Sequence, residues 1–203
     1  MAIFNLTPIR YPWLFCNGLR RLKSATKTIY LSFDDGPNPI ITEKVLEILK
    51  AHNAKASFFC KGINAELYPE ILEKIKLAGH TIGNHSYSHK NALKTSNKSW
   101  LADVLQPSPV SDSQYFRPPY GKIFPWQFFK LKKRYKIVFW DVITMDYRSD
   151  FSPNQVISII KKNTRNGSIL VFHDTTTAAP RMFPALEETL TYFADLGFGF
   201  EGI

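Results

Sequence analysis

The sequence is poor in cysteine, with two, Cys16 and Cys60, in 203 residues. Neither stands in a C-x-x-C spacing, so a thiolate metal centre is not indicated, and both are expected as free thiols, buried or half-buried. No stretch approaches the ~20 apolar residues of a membrane-spanning helix. Pro8, Arg10 and Pro12 interrupt the N-terminal segment before a signal-peptide core can form. The expectation is a cytoplasmic protein by default, with the cell envelope as the alternative. No Gly-x-Gly-x-x-Gly follows the first strand-like segment, which disfavours a dinucleotide-binding fold. Acids are fewer than bases, 17 against 26, for a net charge of +9 and a pI near 9.5. The positive charge is spread along the chain. Its one dense run, 130–134, reads as the solvated end of a helix. No nucleic-acid-binding motif accompanies it, so no nucleic-acid partner is expected.

What the chain does have is a regular alternation of short apolar runs and amphipathic segments. Strands are expected over 29–33, 56–60, 80–83, 115–116, 137–140, 168–172 and 198–200. Between them, Val45, Leu46, Ile48 and Leu49 fall on one helical face behind a capping Thr42. Pro69, Pro125 and Pro153 each open a further helix. Strand-then-helix units imply parallel strands. The choice between an open doubly wound sheet and a barrel is made by the polar residues. Asp34-Asp35, His85, Arg117, Asp146 and His173 all follow the C-terminal ends of different strands, and a barrel gathers such residues on one face. The expected fold is α/β, a distorted (β/α) barrel of seven strands. Residues 1–24 are expected to form an irregular segment packed on it, and 25–203 the catalytic domain.

The adjacent carboxylates Asp34 and Asp35 close the first apolar strand, and Gly36-Pro37 then turns the chain. Like charges this close call for a cation. One carboxylate can ligate a metal while the other acts as a base, and adjacency alone does not say which. His85 and His89, four residues apart, would share a metal ion if they lay on one helical turn. Two imidazoles and a carboxylate make the three-ligand set of a hydrolytic zinc site. Arg117 precedes a rigid Pro118-Pro119-Tyr120 turn and could hold a carboxylate ionised. His173 leaves a buried strand, with Asp141, Asp146 and Asp150 as candidates to orient it. His52 and His80 are read as structural.

Together these segments resemble the polysaccharide deacetylase family, also called carbohydrate esterase family four or the chitooligosaccharide deacetylase homology domain. Its five motifs occur in order. Thr/Ser-Phe-Asp-Asp-Gly-Pro is met by 32–37, His-Ser/Thr-x-x-His by 85–89 and Arg-x-Pro-Tyr by 117–120. Leu-x-Leu-His is met by 170–173, with Phe172 in the third place. The fourth motif, Asp-x-x-Asp-Trp, keeps only its second Asp as Asp146, with Ile143 and Tyr147 in the other places.

The resemblance implies that Asp35, His85 and His89 bind a divalent metal, zinc first, with cobalt or nickel as alternatives. It implies Asp34 as general base oriented by Arg117, the Tyr120 N–H as oxyanion donor, and His173 as general acid tuned by Asp146. Leu170 and, from its position, Trp140 are assigned to a pocket for the acetyl methyl, and Tyr147 to the substrate groove. The implied activity is hydrolytic removal of acetyl groups from N-acetylated sugar polymers or oligomers, of peptidoglycan or chitin type, by a monomer. A xylan O-acetyl esterase or a small amide or imide hydrolase could use the same site. The alternative of a different class is a non-catalytic glycan-binding module.

Overall fold

Alternation along two strands decides which side chains reach the site. The computed structural model describes residues 18–203. In β1 (Thr28–Asp34), Ile29, Leu31 and Phe33 face outward into the layer beneath the helices, while Tyr30 faces the inner cluster. Ser32 and Asp34 share that inner face, because successive strand side chains alternate. In β7 (Ile169–His173), Leu170 and Phe172 join the outer layer, and Ile169 and Val171 the inner one. β1 and β7 pair in parallel, with Asp34 beside His173.

The remaining elements are α1 (Ile41–Ala51), β2 (Ser57–Cys60), α2 (Gly62–Leu67), α3 (Pro69–Leu77), β3 (Thr81–Asn84), α4 (Asn97–Leu105), β4 (Tyr115–Phe116), α5 (Pro125–Leu131), β5 (Lys136–Ile137), β6 (Val142–Ile143), α6 (Pro153–Asn163), α7 (Ala179–Asp195) and β8 (Gly199–Glu201). The sheet order is β5-β4-β3-β2-β1-β7-β6, all parallel. β8 pairs with the first half of β1. Seven parallel strands thus curl into an incomplete barrel with helices outside, the distorted (β/α) barrel expected from the sequence. Among the described residues no helix is long and apolar enough to cross a membrane.

Several local expectations are corrected. β5 ends at Ile137: Val138 N–H still donates to Phe116 O at 2.9 Å, but on the other side Leu19 N–H donates to Ile137 O and Phe139 N–H to Leu19 O, both within 2.9 Å. β6 is a two-residue strand that the composition of 142–143 did not reveal. Thr42 does not cap α1. Ile40 holds the cap position, and the Asn38 carboxamide accepts from Ile40 and Ile41 N–H instead.

Of the N-terminal segment, residues 1–17 lie outside the described residues, and with them Cys16. Leu19 and Leu22 pack on the inner cluster, and Leu22 N–H donates to Gly167 O at 2.9 Å. Gly167 has φ 80°, and a Cβ there would sit 1.9 Å from Leu22 O. Only glycine lets the backbone of residue 22 approach that closely.

Candidate active site

The site lies at the C-terminal ends of the strands and is organised by a buried arginine. Arg117 follows β4 and is fully buried. Its Nη1 donates to Asp34 Oδ1 at 2.6 Å and to Ser32 Oγ at 2.9 Å, and Nη2 donates to Phe139 O at 3.1 Å. The guanidinium lies over the Phe59 ring, 4.0 Å from its centroid. A buried charge without a counter-ion costs several kcal/mol. Asp34 supplies that counter-ion and is thereby held in one orientation. Burial lowers the Arg117 pKa and the Asp34 carboxylate opposes the shift.

The same residue aims a histidine. His85 Nδ1 lies 2.8 Å from Arg117 O. A carbonyl only accepts, so Nδ1 carries the proton and Nε2 offers its lone pair. Burial pushes the His85 pKa well below 6.5, which keeps the ring neutral. His85 and His89 do not share a helical turn. They flank a loop in which Ser86 and His89 both adopt φ 63°, and Ser86 Oγ accepts from His89 N–H at 3.0 Å. The left-handed residues fold the loop back, so the rings meet with centroids 4.8 Å apart. Burial also lowers the His89 pKa, with Asp35 opposing.

Asp35, at φ 82°, turns out of the strand direction. His89 Nε2 lies 3.3 Å and Lys61 Nζ 4.0 Å from Asp35 Oδ1. One ligand atom from each of Asp35, His85 and His89 falls within 4.8 Å of the others. Asp35 Oδ1 is buried and accepts no hydrogen bond. A buried, unsatisfied carboxylate oxygen beside two neutral imidazoles is a donor set that fits a divalent cation.

On the facing strand end, His173 Nδ1–H donates to Asp146 Oδ1 at 2.7 Å, while His173 N–H donates to Oδ2 at 2.8 Å. Burial is the largest influence on this imidazole and favours its neutral form. Asp146, with Asp34 and Asp35 adding to it, outweighs burial and raises the pKa to about 9. Arg181 Nε donates to Asp146 O at 2.7 Å, anchoring the loop after β6. Of the three acids left open by spacing, Asp146 is the partner. Asp141 binds Ser168 and Arg165, and the exposed Asp150 pairs with half-buried Arg148.

Tyr120 is exposed and in the left-handed region at φ 58°, with its ring 4.5 Å from that of His89. The turn hydrogen bonds come from Gly121 and Lys122 N–H and leave the Tyr120 N–H out. Tyr147 sets its ring edge against His173 at 4.9 Å. Ile143 packs on the inner cluster with Trp140.

Leu170 is a correction: it is buried in the outer layer and does not reach the site. Val171, two residues before His173, shares the inner cluster with Trp140. Counting back by two from His173 would have found it. Sequence reasoning also missed Lys61 and Asp174. Asp174 is 1% exposed, and burial pushes its carboxyl up to about 7.

Comparisons with known proteins agree with this fold. The polysaccharide deacetylase family profile matches residues 21–137. A peptidoglycan-N-acetylglucosamine deacetylase of Bacillus cereus is 35% identical over 72% of this chain, and the match spans only 56% of that relative's length. A chitooligosaccharide deacetylase of Azorhizobium caulinodans is 34% identical over 76% of this chain and 77% of its own. Among solved structures, the Bc1960 peptidoglycan N-acetylglucosamine deacetylase, in complex with an N-hydroxybenzamide, superposes with a TM-score of 0.84 at 28% identity. That match covers 96% of this chain and 95% of the other. Motifs, fold and relatives converge, and the chain belongs to the polysaccharide deacetylase family.

Proposed function

We propose that this chain, through residues 25–203, hydrolyses the acetamido group of N-acetylated sugar polymers or oligomers, releasing acetate and a free amine. The observation that carries the proposal is one cluster holding three metal-ligand side chains, a clamped carboxylate and a carboxylate-supported histidine. The similarity to deacetylases of peptidoglycan and chitooligosaccharides supports the substrate class.

Asp35, His85 and His89 would hold the divalent ion. When bound, such an ion polarises an acetyl carbonyl and acidifies water. Asp34, oriented by Arg117, takes the proton of the attacking water. The Tyr120 N–H is available to the oxyanion that develops on the carbonyl oxygen. His173 donates its Nε2 proton to the departing nitrogen as the C–N bond breaks, and Asp146 supports the imidazolium through Nδ1–H. Trp140 and Val171 form the apolar wall for the acetyl methyl, and Tyr147 flanks the sugar.

The test is acetate release across N-acetylglucosamine oligomers and acetylated xylan. Equimolar acetate and free amine from the oligomers, with little acetate from xylan, is expected. Acetate from xylan alone would establish the O-acetyl esterase instead.

The acid role has its own signature in the pH profile. A raised pKa keeps His173 protonated at neutral pH, so activity falls as pH rises through about 9. Asp146→Asn removes the group that raises it and should move the basic limb of kcat/KM down by about 1–3 units. An unmoved limb would take the role from this pair. The same shift links to folding. The imidazolium's contribution to stability is full below 6.5 and is lost as pH rises through about 9.

A further inference from the structure

Asp174 follows the histidine of the fifth motif, and the proposed chemistry makes no use of it. Alternation turns it away from His173, towards the start of α1 and the loop after β1. Its surroundings tie three segments together. Asp174 N–H donates to Asp34 O at 3.3 Å, which joins the end of β7 to the end of β1. Thr42 Oγ1–H donates to Asp174 Oδ2 at 2.5 Å, across 132 positions of sequence. Thr42 Oγ1 in turn accepts from Asn38 N–H at 2.8 Å, and Thr42 N–H donates to Asn38 O at 3.0 Å. The Asp35–Asn38 loop is thereby fastened at its far end.

The near end is held by hydrogen bonds, Asp35 N–H to Phe59 O at 3.2 Å, Asn64 Nδ2 to Asp35 O at 2.8 Å and Lys61 N–H to Gly36 O at 3.0 Å, and by a contact that Asp174 adds. Gly36 lies against the Asp174 carboxyl so closely that a Cβ there would sit 2.1 Å from Oδ2. Asp35, a non-glycine residue at φ 82°, stands between Asp34, whose carbonyl accepts from Asp174 N–H, and Gly36. That conformation is unfavourable for a residue with a Cβ and persists only where the surroundings enforce it. Asp174 Oδ1 meanwhile has no hydrogen-bond partner. A buried carboxyl with one oxygen unsatisfied is a poor way to fill space, since an apolar side chain would do so without the desolvation cost. What the carboxyl adds over an apolar residue is an acceptor for Thr42 at a fixed place beside Gly36.

We propose that Asp174 is a positioning residue that, with Thr42, fixes the left-handed turn at Asp35. It thereby sets the pose in which the Asp35 carboxylate joins His85 and His89. The proposal rests on the metal reading given above and deepens it. Asp174 touches neither substrate nor metal. It acts through Gly36 on the ligand loop, and through its own N–H it ties that loop to the strand carrying His173. Supporting groups of this kind typically change metal affinity by about 10–100-fold when removed.

The test is zinc affinity, measured by chelator competition on the purified protein, with circular dichroism and thermal unfolding on the same samples. Asp174→Ala is expected to bind zinc about 10–100-fold more weakly at a temperature where its fold is intact. Asp174→Asn keeps an acceptor oxygen for Thr42 and should stay within a few-fold of wild type. Thr42→Val removes the donor from the other side and should weaken binding in the same direction, and it carries the test if Asp174→Ala does not fold. Wild-type zinc affinity in folded Asp174→Ala, or in Thr42→Val, would overturn the proposal, even if the variants unfold at lower temperature. Failure of the wild-type protein itself to bind zinc would overturn the metal reading and the proposal with it.

Discussion

Asp34→Asn should lower kcat by about 10²–10⁴-fold, the usual contribution of a positioned general base. An amide has no site for the water proton, yet it nearly preserves the shape of the carboxylate. Asp35, His85 and His89 are untouched, so the variant should retain its metal. The substitution also strips the fully buried Arg117 of the carboxylate 2.6 Å away. Removing one partner of a buried ion pair costs about 3–5 kcal/mol. The variant should therefore unfold at lower temperature, and turnover has to be compared well below its midpoint. Loss of turnover with metal retained and the fold intact is the expected pattern. Hydrolysis at the wild-type rate would remove Asp34 from the role of base. Lys at position 117 should not substitute for Arg, because one ammonium cannot bond Asp34, Ser32 and the Phe139 carbonyl in the same planar geometry.

Chelation is the second large effect. Stripping the metal should abolish acetate release, by about a thousand-fold or more if the ion supplies several kcal/mol of transition-state stabilisation. Adding zinc or cobalt should restore it. His85→Ala should abolish both metal retention and activity, because His85 is the proposed ligand whose tautomer is set by Arg117 O. Undiminished activity in protein shown to be free of metal would sink the assignment of Asp35, His85 and His89. The two experiments separate the base from the ion, since Asp34→Asn loses the base and keeps the ion, whereas chelation or His85→Ala loses the ion.

The residues of the site were legible in the sequence, and the way the chain presents them was less so. The alternation of β1 is plain in Ile29, Leu31 and Phe33, and it carries Asp34 to the inner face. The same logic applied to β7 gives Val171, while the motif pattern alone pointed to Leu170, which faces outward. Spacing suggested a helical turn for His85 and His89. Two left-handed residues, Ser86 and His89, do the work instead, and nothing in residue type announces a positive φ at a histidine. Asp146 could not be separated from Asp141 and Asp150 by spacing, because the choice depends on which loop reaches His173 in three dimensions. Thr42 looked like a helix cap. Its actual partner, Asp174, lies 132 positions away, and such a contact leaves no local trace. Short strands such as β5 and β6 hold two residues each and take their pairing from neighbours more than from their own composition.

The central claim is that water attacks the acetyl carbonyl of an N-acetylated sugar. Its most direct test is hydrolysis of an N-acetylglucosamine oligomer by the metal-loaded protein in ¹⁸O-labelled water, with mass analysis of both products. The expected result is one ¹⁸O in the released acetate and none in the deacetylated sugar. Label appearing in the sugar, or an oligomer that yields no acetate at all, would contradict it.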